Sequence, residues 1–392
     1  MRRVLACACI VLFLAFGIRA AFGLFLQPMS LEYGWGREVF SFALALQALL
    51  WGAFMPVAGA LADRYGAARV IGGSGVLYVL GLVAMAFADT KLSLGLGGGF
   101  VVGLALAGTT FGTVLAVIAR VAPPEKRSTA LGIATAAGSF GQFALLPVSQ
   151  ALIGWLDWKL ALVALGVLAA LIVPSSAGLR GRPAVVAGQQ SMGAALREAW
   201  REGGFHLIFW GYFVCGFQLL MFSVHLPAFV VDAGLAPQHG MMALALIGLF
   251  NMVGSFACGW LGGRFSKKRV LATIYFLRAL IMVPLVVFPL SLVTLYAFAM
   301  LMGLMWLGTI PLTNGLVGQI FGLRYVAMLT GLVFFGHQIG SFCGIWLAGY
   351  LYDMTGSYNG VFMISIALGI IAGLVHLPVN ETPIAQRRLA PA

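Results

Sequence analysis

Twelve mostly apolar runs, each about 20 residues long, divide the 392-residue chain and are separated by short polar loops. A helix of that length crosses the hydrocarbon core of a bilayer. Because backbone polar groups in lipid need partners within the chain, and because the runs are continuously apolar, we expect helices and not strands. The predicted fold is an all-α membrane protein with spans near residues 5–27, 40–62, 69–88, 93–118, 129–153, 159–177, 205–228, 240–262, 269–289, 293–317, 327–350 and 359–378.

The composition excludes a soluble or a disordered chain. Hydrophobic residues make up 61% and charged residues only 9%, against roughly 25% charged residues in a soluble domain. The five cysteines all lie in apolar runs and form no C-x-x-C pair. We therefore interpret them as packing residues, and the sequence predicts no metal site and no disulfide framework.

The net charge of +12 is explained by membrane topology. One set of loops and both termini carry 18 of the 23 Lys and Arg residues; the opposite loops carry Arg37, Lys91 and Lys159, and two lie inside spans. Basic loops concentrate on the cytoplasmic side. We expect a multi-pass protein of the bacterial cytoplasmic (inner) membrane, with both termini in the cytoplasm and no nucleic-acid partner.

An internal repeat relates the two halves of the chain. Residues 59–70 resemble residues 259–270, and the same offset of 200 carries Gly103 onto Gly303 and Thr109 onto Thr309. We predict an N-terminal six-helix bundle (1–178), a cytoplasmic linker (179–204) and a C-terminal six-helix bundle (205–392). Parallel repeats of this kind place a substrate site at their interface, near mid-membrane.

The segment after span 2 carries a recognisable loop signature. Gly59, Asp63, Arg64, Gly66 and Arg69 match the pattern G-x-x-x-D-R-x-G-x-R-[RK], with Ala68 at one usually basic position. The segment resembles the signature of the major facilitator superfamily, which implies two pseudo-symmetric bundles and alternating access. The resemblance also implies that Asp63, Arg64 and Arg69 act in gating, by latching the cytoplasmic side; the alternative is a solvated basic loop. The second copy has Gly263 in place of the acid, so any latch is one-sided.

A finer resemblance rests on four short segments: Gly17–Phe25, Gly34–Arg37, Tyr275–Ala279 and His337–Gly340. They are similar to the oxalate/formate antiporter and monocarboxylate transporter branch. That branch carries organic anions and has a cationic residue in helix 1, which implies a binding role for Arg19. This chain departs from some members in span 8, where Asn251–Ser255 lacks their charged residues.

Two charges lie deep in the predicted spans, and both are arginines. Arg19 is about 15 residues into span 1, roughly 22 Å along a helix. An intramembrane charge marks function by default, and a guanidinium binds carboxylate through two parallel hydrogen bonds. The alternative is an Arg19 that caps carbonyls or reaches the outer interface. Arg278, on peripheral span 9, is expected to be structural, unless its face turns toward the cavity.

His337, mid-way along span 11, is the deep side chain that can change charge near neutral pH. It is a candidate proton carrier or second anion ligand; the alternative is a histidine that fixes helix contacts beside Gln338. His225, near the outer end of span 7, is a candidate for the outer gate. Further candidates for the cavity wall, which could instead tie helices together, are Gln47, Thr110, Thr113, Asn251, Trp306, Asn314 and Gln338.

The function predicted from these features is secondary transport of a small, monocarboxylate-like organic anion, by proton symport or anion exchange. Efflux of a drug, siderophore or other less polar metabolite is the first alternative. A membrane sensor that kept the carrier fold is the second. The sequence has no P-loop and no catalytic motif, so we expect neither ATP-driven transport, nor an enzyme, nor a cofactor. The expected partners are a small-molecule substrate and the lipid bilayer, and the expected state is a monomer.

Overall fold

The computed structural model describes residues 1–180, 197, 199–321 and 326–389. Within these residues the fold is entirely helical, and twelve helices are long and apolar enough to cross a membrane, which confirms the predicted fold class. They are α1 (Arg2–Tyr33), α2 (Arg37–Tyr65), α3 (Ala67–Ala86), α4 (Lys91–Val121), α5 (Thr129–Leu156), α6 (Trp158–Ser176), α7 (Gly203–Asp232), α8 (Pro237–Arg264), α9 (Lys267–Val287), α10 (Leu292–Phe321), α11 (Met328–Thr355) and α12 (Asn359–His376). A short helix, Ile384–Leu389, follows. Most of the predicted linker, residues 179–204, lies outside the described residues.

The helix boundaries repeat with the offset of 200 found in the sequence. α2 begins at Arg37 and α8 at Pro237, and α3 begins at Ala67 where α9 begins at Lys267. The loops before α2 and α8 turn at Gly34 (φ +62°) and Gly234 (φ +81°), which adopt the left-handed conformation that glycine allows. A left-handed glycine therefore follows the end of the first helix in each half.

Helices α4 and α10 are both interrupted near the middle of their length. In α4 the regular helix stops at Thr109, and Thr110 has an extended backbone before Phe111–Val121 continues. In α10 a first segment, α10a (Leu292–Met305), is separated from a second, α10b (Thr309–Phe321), by residues 306–308. Neither break contains proline, so side chains must satisfy the freed backbone groups.

The halves meet through three helix pairs: α1 with α7, α2 with α11, and α5 with α8. Glycines permit these approaches. A Cβ on Gly23 of α1 would lie 2.4 Å from the Ser223 carbonyl oxygen of α7. A Cβ on Gly52 of α2 would lie 2.7 Å from the Gln338 side chain of α11. The first turns of α1 and the ends of α2 and α8 lie at one end of the bundle, which also carries the basic loops; we call it the basic end.

Candidate functional site

Arg19 lies on α1 at the interface between the halves. No described residue forms a hydrogen bond or ion pair with its guanidinium, and its Nε is buried without a partner. The guanidinium carbon lies 4.8 Å from the centre of the Trp51 ring, a cation–π distance. The side chain therefore does not cap a carbonyl among the described residues, and its hydrogen-bond donors remain available to a ligand.

A small cavity adjoins Arg19. Its volume is about 10 Å³, close to the space for a single water molecule. Both halves contribute to its wall: Arg19, Phe22, Gly23, Leu44 and Gln47 from the N-terminal half, and Leu220, Ser223, Val224 and Ile345 from the C-terminal half. Because the wall contains one cation and no carboxylate, its electrostatics suit an anion.

Aromatic rings connect Arg19 with His337 across the interface. Trp51 lies edge-on to Phe334 with ring centres 5.4 Å apart, and Phe334 stacks on the His337 imidazole at 5.7 Å. Phe16 packs against Trp51 from the other side, at 6.0 Å. Arg19 and His337 thus lie at the two ends of one aromatic wall, formed by Phe16, Trp51 and Phe334.

His337 and Gln338 link α11 to its neighbours. The Nδ1 of His337 lies 3.1 Å from the Oε1 of Gln338, and the Ser341 hydroxyl donates to the His337 carbonyl. The Nε2 of Gln338 donates across the interface to the Ala48 carbonyl, at 3.0 Å. Both side chains are buried, so a movement of one half against the other changes their surroundings directly.

Several buried side chains near the site bond to the interrupted helices. Trp51 Nε1 donates to the hydroxyl of Thr110 at the α4 break, and Thr113 donates to the Gly108 carbonyl. Gln47 donates to the Gly98 carbonyl of α4 while also lining the cavity. In the other half, Asn251 Oδ1 accepts the Leu307 amide at the α10 break.

The remaining candidates fall into three different settings. Asn251 also reaches the other half through a 3.3 Å contact from Nδ2 to Ser139. Trp306 is buried at the α10 break. Asn314, on α10b, is exposed and makes no hydrogen bond with the described residues. The geometry therefore gathers Arg19, Gln47 and the aromatic wall, and it leaves Thr113 and Asn314 without a contact to Arg19 among the described residues.

Arg278 is fully buried on α9 and bonded to the break in α10. Its Nη2 donates to the carbonyls of Met305 and Trp306, at 2.5 and 2.7 Å. Its Nη1 donates to the Cys215 sulfur at 3.4 Å. The residue lies away from the Arg19 cavity, and its bonds are those of a side chain that holds a broken helix in place.

At the basic end, the loop signature bonds within its own half. Asp63 pairs with Arg120 of α4 at 3.0 Å. Arg64 lies over the Tyr65 ring, and Arg69 makes a long 3.5 Å contact with the Tyr65 carbonyl. Among the described residues, no hydrogen bond or ion pair joins the halves at this end.

The opposite end of the bundle is closed by a network that the sequence reasoning missed. Arg37 of α2 forms a paired interaction with the Asp232 carboxylate of α7, at 2.6 and 2.7 Å. The Asp353 carboxylate of α11 accepts the backbone amides of Arg37 and Glu38, both at 2.8 Å. Asp353 thus caps the first turn of a helix in the other half. In the sequence Arg37 stands out only as a basic residue of the sparse loops and as the end of the Gly34–Arg37 segment, because its partners are distant in sequence.

His225 belongs to this closed end, where it had been expected. Its Nε2 lies 2.9 Å from the Ile345 carbonyl and 3.3 Å from the Ser41 hydroxyl of the other half, and its Nδ1 lies 3.0 Å from the Tyr358 hydroxyl. Burial raises the pKa of the Tyr358 hydroxyl, which stays protonated and donates to Nδ1. The carbonyl requires a proton on Nε2, so the neutral Nε2–H tautomer satisfies every partner.

A bundle of twelve helices in two halves also occurs in known proteins. The profile of the Major Facilitator Superfamily matches residues 8–314 and 208–392, which together span almost the whole chain. The chain belongs to the major facilitator superfamily. It is therefore a membrane transporter, in a family of transporters rather than enzymes.

Relatives in this family include named carriers. The chain is 29% identical to "Monocarboxylate transporter 13" of Bos taurus, over 93% of this chain and 86% of that one. It is 27% identical to "Uncharacterized MFS-type transporter YcxA" of Bacillus subtilis, over 64% of each chain. A solved bacterial homolog of the human lysosomal transporter Spinster has a TM-score of 0.77 at 16% identity, over 99% of this chain and 98% of that one, and shows the fold alone.

Proposed function

We propose that this transporter is a secondary carrier of a small organic anion, and that Arg19 binds the substrate carboxylate. The observation that carries the proposal is the free guanidinium of Arg19 at the interface between the halves. An ionised, buried group without a partner is costly to keep in a membrane protein, so a ligand that supplies the missing charge is strongly favoured. The named monocarboxylate relatives support a substrate of the same class.

The carrier works by alternating access between its two bundles, residues 1–178 and 205–392. In the predicted orientation the basic end faces the cytoplasm, so the end that is bonded across the halves faces outward. Arg37, Asp232, Asp353 and His225 form the outer gate. Asp63, Arg64 and Arg69 are proposed to form the inner gate, which would close when the halves rock. Coupling is to a proton or to a second anion, with His337 as the group that senses it.

The test is thermal unfolding of the purified protein with mono- and dicarboxylates. A ligand present at 100 times its Kd stabilises the folded state by about 2.7 kcal/mol. We expect a monocarboxylate to raise the Tm of the wild type and not of Arg19→Gln. The matched control is Arg3→Gln, which removes the same charge from an exposed position on the same helix and should keep the full shift.

Two outcomes would contradict this assignment. An equal carboxylate shift in Arg19→Gln would show that Arg19 does not bind the anion. If carboxylates had no effect while apolar amphiphiles stabilised both proteins, the aromatic wall of Phe16, Trp51 and Phe334 would be the dominant binding surface. Efflux of a less polar compound would then become the better function.

A further inference from the structure

The two facing ends of the broken helix α10 contact opposite kinds of side chain. The last carbonyls of α10a, on Met305 and Trp306, accept hydrogen bonds from Arg278. Thr309, the first residue of α10b, has its hydroxyl 3.2 Å from the Cys215 sulfur. A helix carries partial negative charge at its C-terminal end and partial positive charge at its N-terminal end. The carbonyl end of the break therefore contacts the Arg278 cation, and its other end contacts the Cys215 sulfur.

The charge of Arg278 is not balanced by a carboxylate. Its side chain is 0% exposed, and no described Asp or Glu pairs with it. The end of α10a supplies only about half an elementary charge. The other ionisable groups near the guanidinium are the Cys215 thiol, the Tyr275 ring at 5.4 Å, Tyr212, and the Cys258 thiol, which makes no hydrogen bond to Arg278 among the described residues. Of these, a thiol gives up its proton most readily, since a phenol does so about 1.5 pH units higher.

Polar and charged groups surround the Cys215 sulfur. Arg278 Nη1 donates to it at 3.4 Å, the Thr309 hydroxyl lies 3.2 Å from it, and the His337 imidazole of α11 packs on Tyr212, one turn before Cys215. A neighbouring guanidinium, an imidazole and a helix N-terminus are the surroundings that stabilise a thiolate.

In the other half the two equivalent positions are uncharged, although Arg19 lies near Tyr78 there. The offset of 200 maps Cys215 onto Ala15 and Arg278 onto Tyr78. There the Tyr78 hydroxyl donates to the Ala15 carbonyl at 3.1 Å, so the same helix pair is joined by a neutral bond. The fold therefore does not need a charged pair at this place, and both members of the pair differ together in the C-terminal half.

We propose that Cys215 is a proton-binding site of the carrier, deprotonated when paired with Arg278 and protonated when that pairing is weakened. One proton binds to or leaves Sγ, and no other bond changes. Because His337 is on α11, which is bonded to α2 through Gln338, movement of the halves alters the groups around the sulfur. The site thus provides a place for a coupling proton in a chain whose described spans hold no buried carboxylate.

The test measures the ultraviolet absorbance of thiolate in the purified full-length protein without any substrate. At pH 7 the wild type should show one thiolate that Cys215→Ser lacks. The matched control is Cys258→Ser, which removes a buried thiol beside Gly308 of the same break that makes no hydrogen bond to Arg278 in the described residues. That variant should keep the signal. Equal absorbance in the wild type and Cys215→Ser across the neutral range would overturn the proposal.

A second variant covers the case in which Cys215→Ser fails to fold. Cys215→Asp supplies an anion that stays ionised at neutral pH, and it should unfold at a higher temperature than Cys215→Ala. Uptake by Cys215→Asp should also lose its dependence on pH. A Cys215→Ala protein more stable than Cys215→Asp would show that Arg278 does not need an anion there. The absorbance and thermal-unfolding readouts need no substrate and do not involve Arg19, so the proton site can fail while anion binding holds, and the reverse.

Discussion

At the scale of single residues, the buried polar side chains divide according to whether the protein already satisfies them. Asn251 is fully bonded, because its Oδ1 accepts the Leu307 amide and its Nδ2 contacts Ser139. Arg19 has a buried Nε and no hydrogen-bond partner among the described residues. In lipid an unsatisfied polar group costs several kcal/mol. Single buried atoms without a partner also occur on other side chains, among them Gln218 and Arg278, but the Arg19 guanidinium has no hydrogen bond at all among the described residues and so points to a ligand.

Asn251 provides a test of that division. In Asn251→Leu the Leu307 amide at the α10 break loses its acceptor, which should cost about 1–3 kcal/mol. We expect a lower Tm in detergent for Asn251→Leu. Ser139→Ala, which removes only the contact between the halves, should change the Tm little. A wild-type Tm for Asn251→Leu would indicate that the α10 break is held by other groups.

At the scale of helices, glycines set how closely the elements pack. Gly254 and Gly259 are five residues apart on α8 and have opposite surroundings. A Cβ on Gly254 would lie 1.9 Å from the Leu304 carbonyl oxygen of α10, whereas nothing lies within 4 Å of a Cβ on Gly259. The helix α10a therefore approaches α8 at a distance that only glycine permits.

The two positions should respond oppositely to the same substitution. Gly254→Ala must push α10a away from α8 and should destabilise the protein by about 1–3 kcal/mol. Gly259→Ala meets no atom and gains helix propensity, up to about 1 kcal/mol. Thermal unfolding of both variants checks the prediction, and equal Tm values would contradict the packing of α8 on α10a.

The sequence predicted the helices well and their interruptions poorly. Hydropathy over a long window is unambiguous, so all twelve spans were found and the repeat of 200 gave the division into halves. The α10 break was not predicted, because no polar run marks Trp306–Gly308, and a proline such as Pro311, in the first turn after the break, is also tolerated inside membrane helices. The role of Arg37 was missed for another reason: Asp232 and Asp353 lie 195 and 316 residues away, and only the folded chain brings them together.

At the scale of the whole molecule, the charged contacts that join the halves among the described residues lie at one end. Arg37 pairs with Asp232, and Asp353 caps the start of α2, while the described residues of the basic end bond within their own halves. A bundle joined in this way is held closed at the bonded end. The populations of its two orientations depend on those few bonds.

Charge reversal at the closed end tests this dependence. Arg37→Glu sets two carboxylates against each other and should open that end; a change of about 1–2 kcal/mol alters the population 5- to 30-fold. The readout is the rate at which an impermeant maleimide labels a cysteine placed at buried Ser41. Adding Asp232→Arg should return the rate toward that of the parent. An unchanged labelling rate in Arg37→Glu would exclude this pair from the gate.

The helix cap formed by Asp353 makes the closed end of the carrier sensitive to the salt concentration outside it. Its carboxylate and the Arg37–Asp232 pair are at the edge of the membrane, where dissolved ions reach them; Asp232 is 25% exposed. The Debye length shortens from about 10 Å at 0.1 M salt to about 3 Å at 1 M, so concentrated salt weakens such contacts. We therefore expect the ionic strength on that face alone to shift the populations of the carrier's two orientations, whether or not substrate is present.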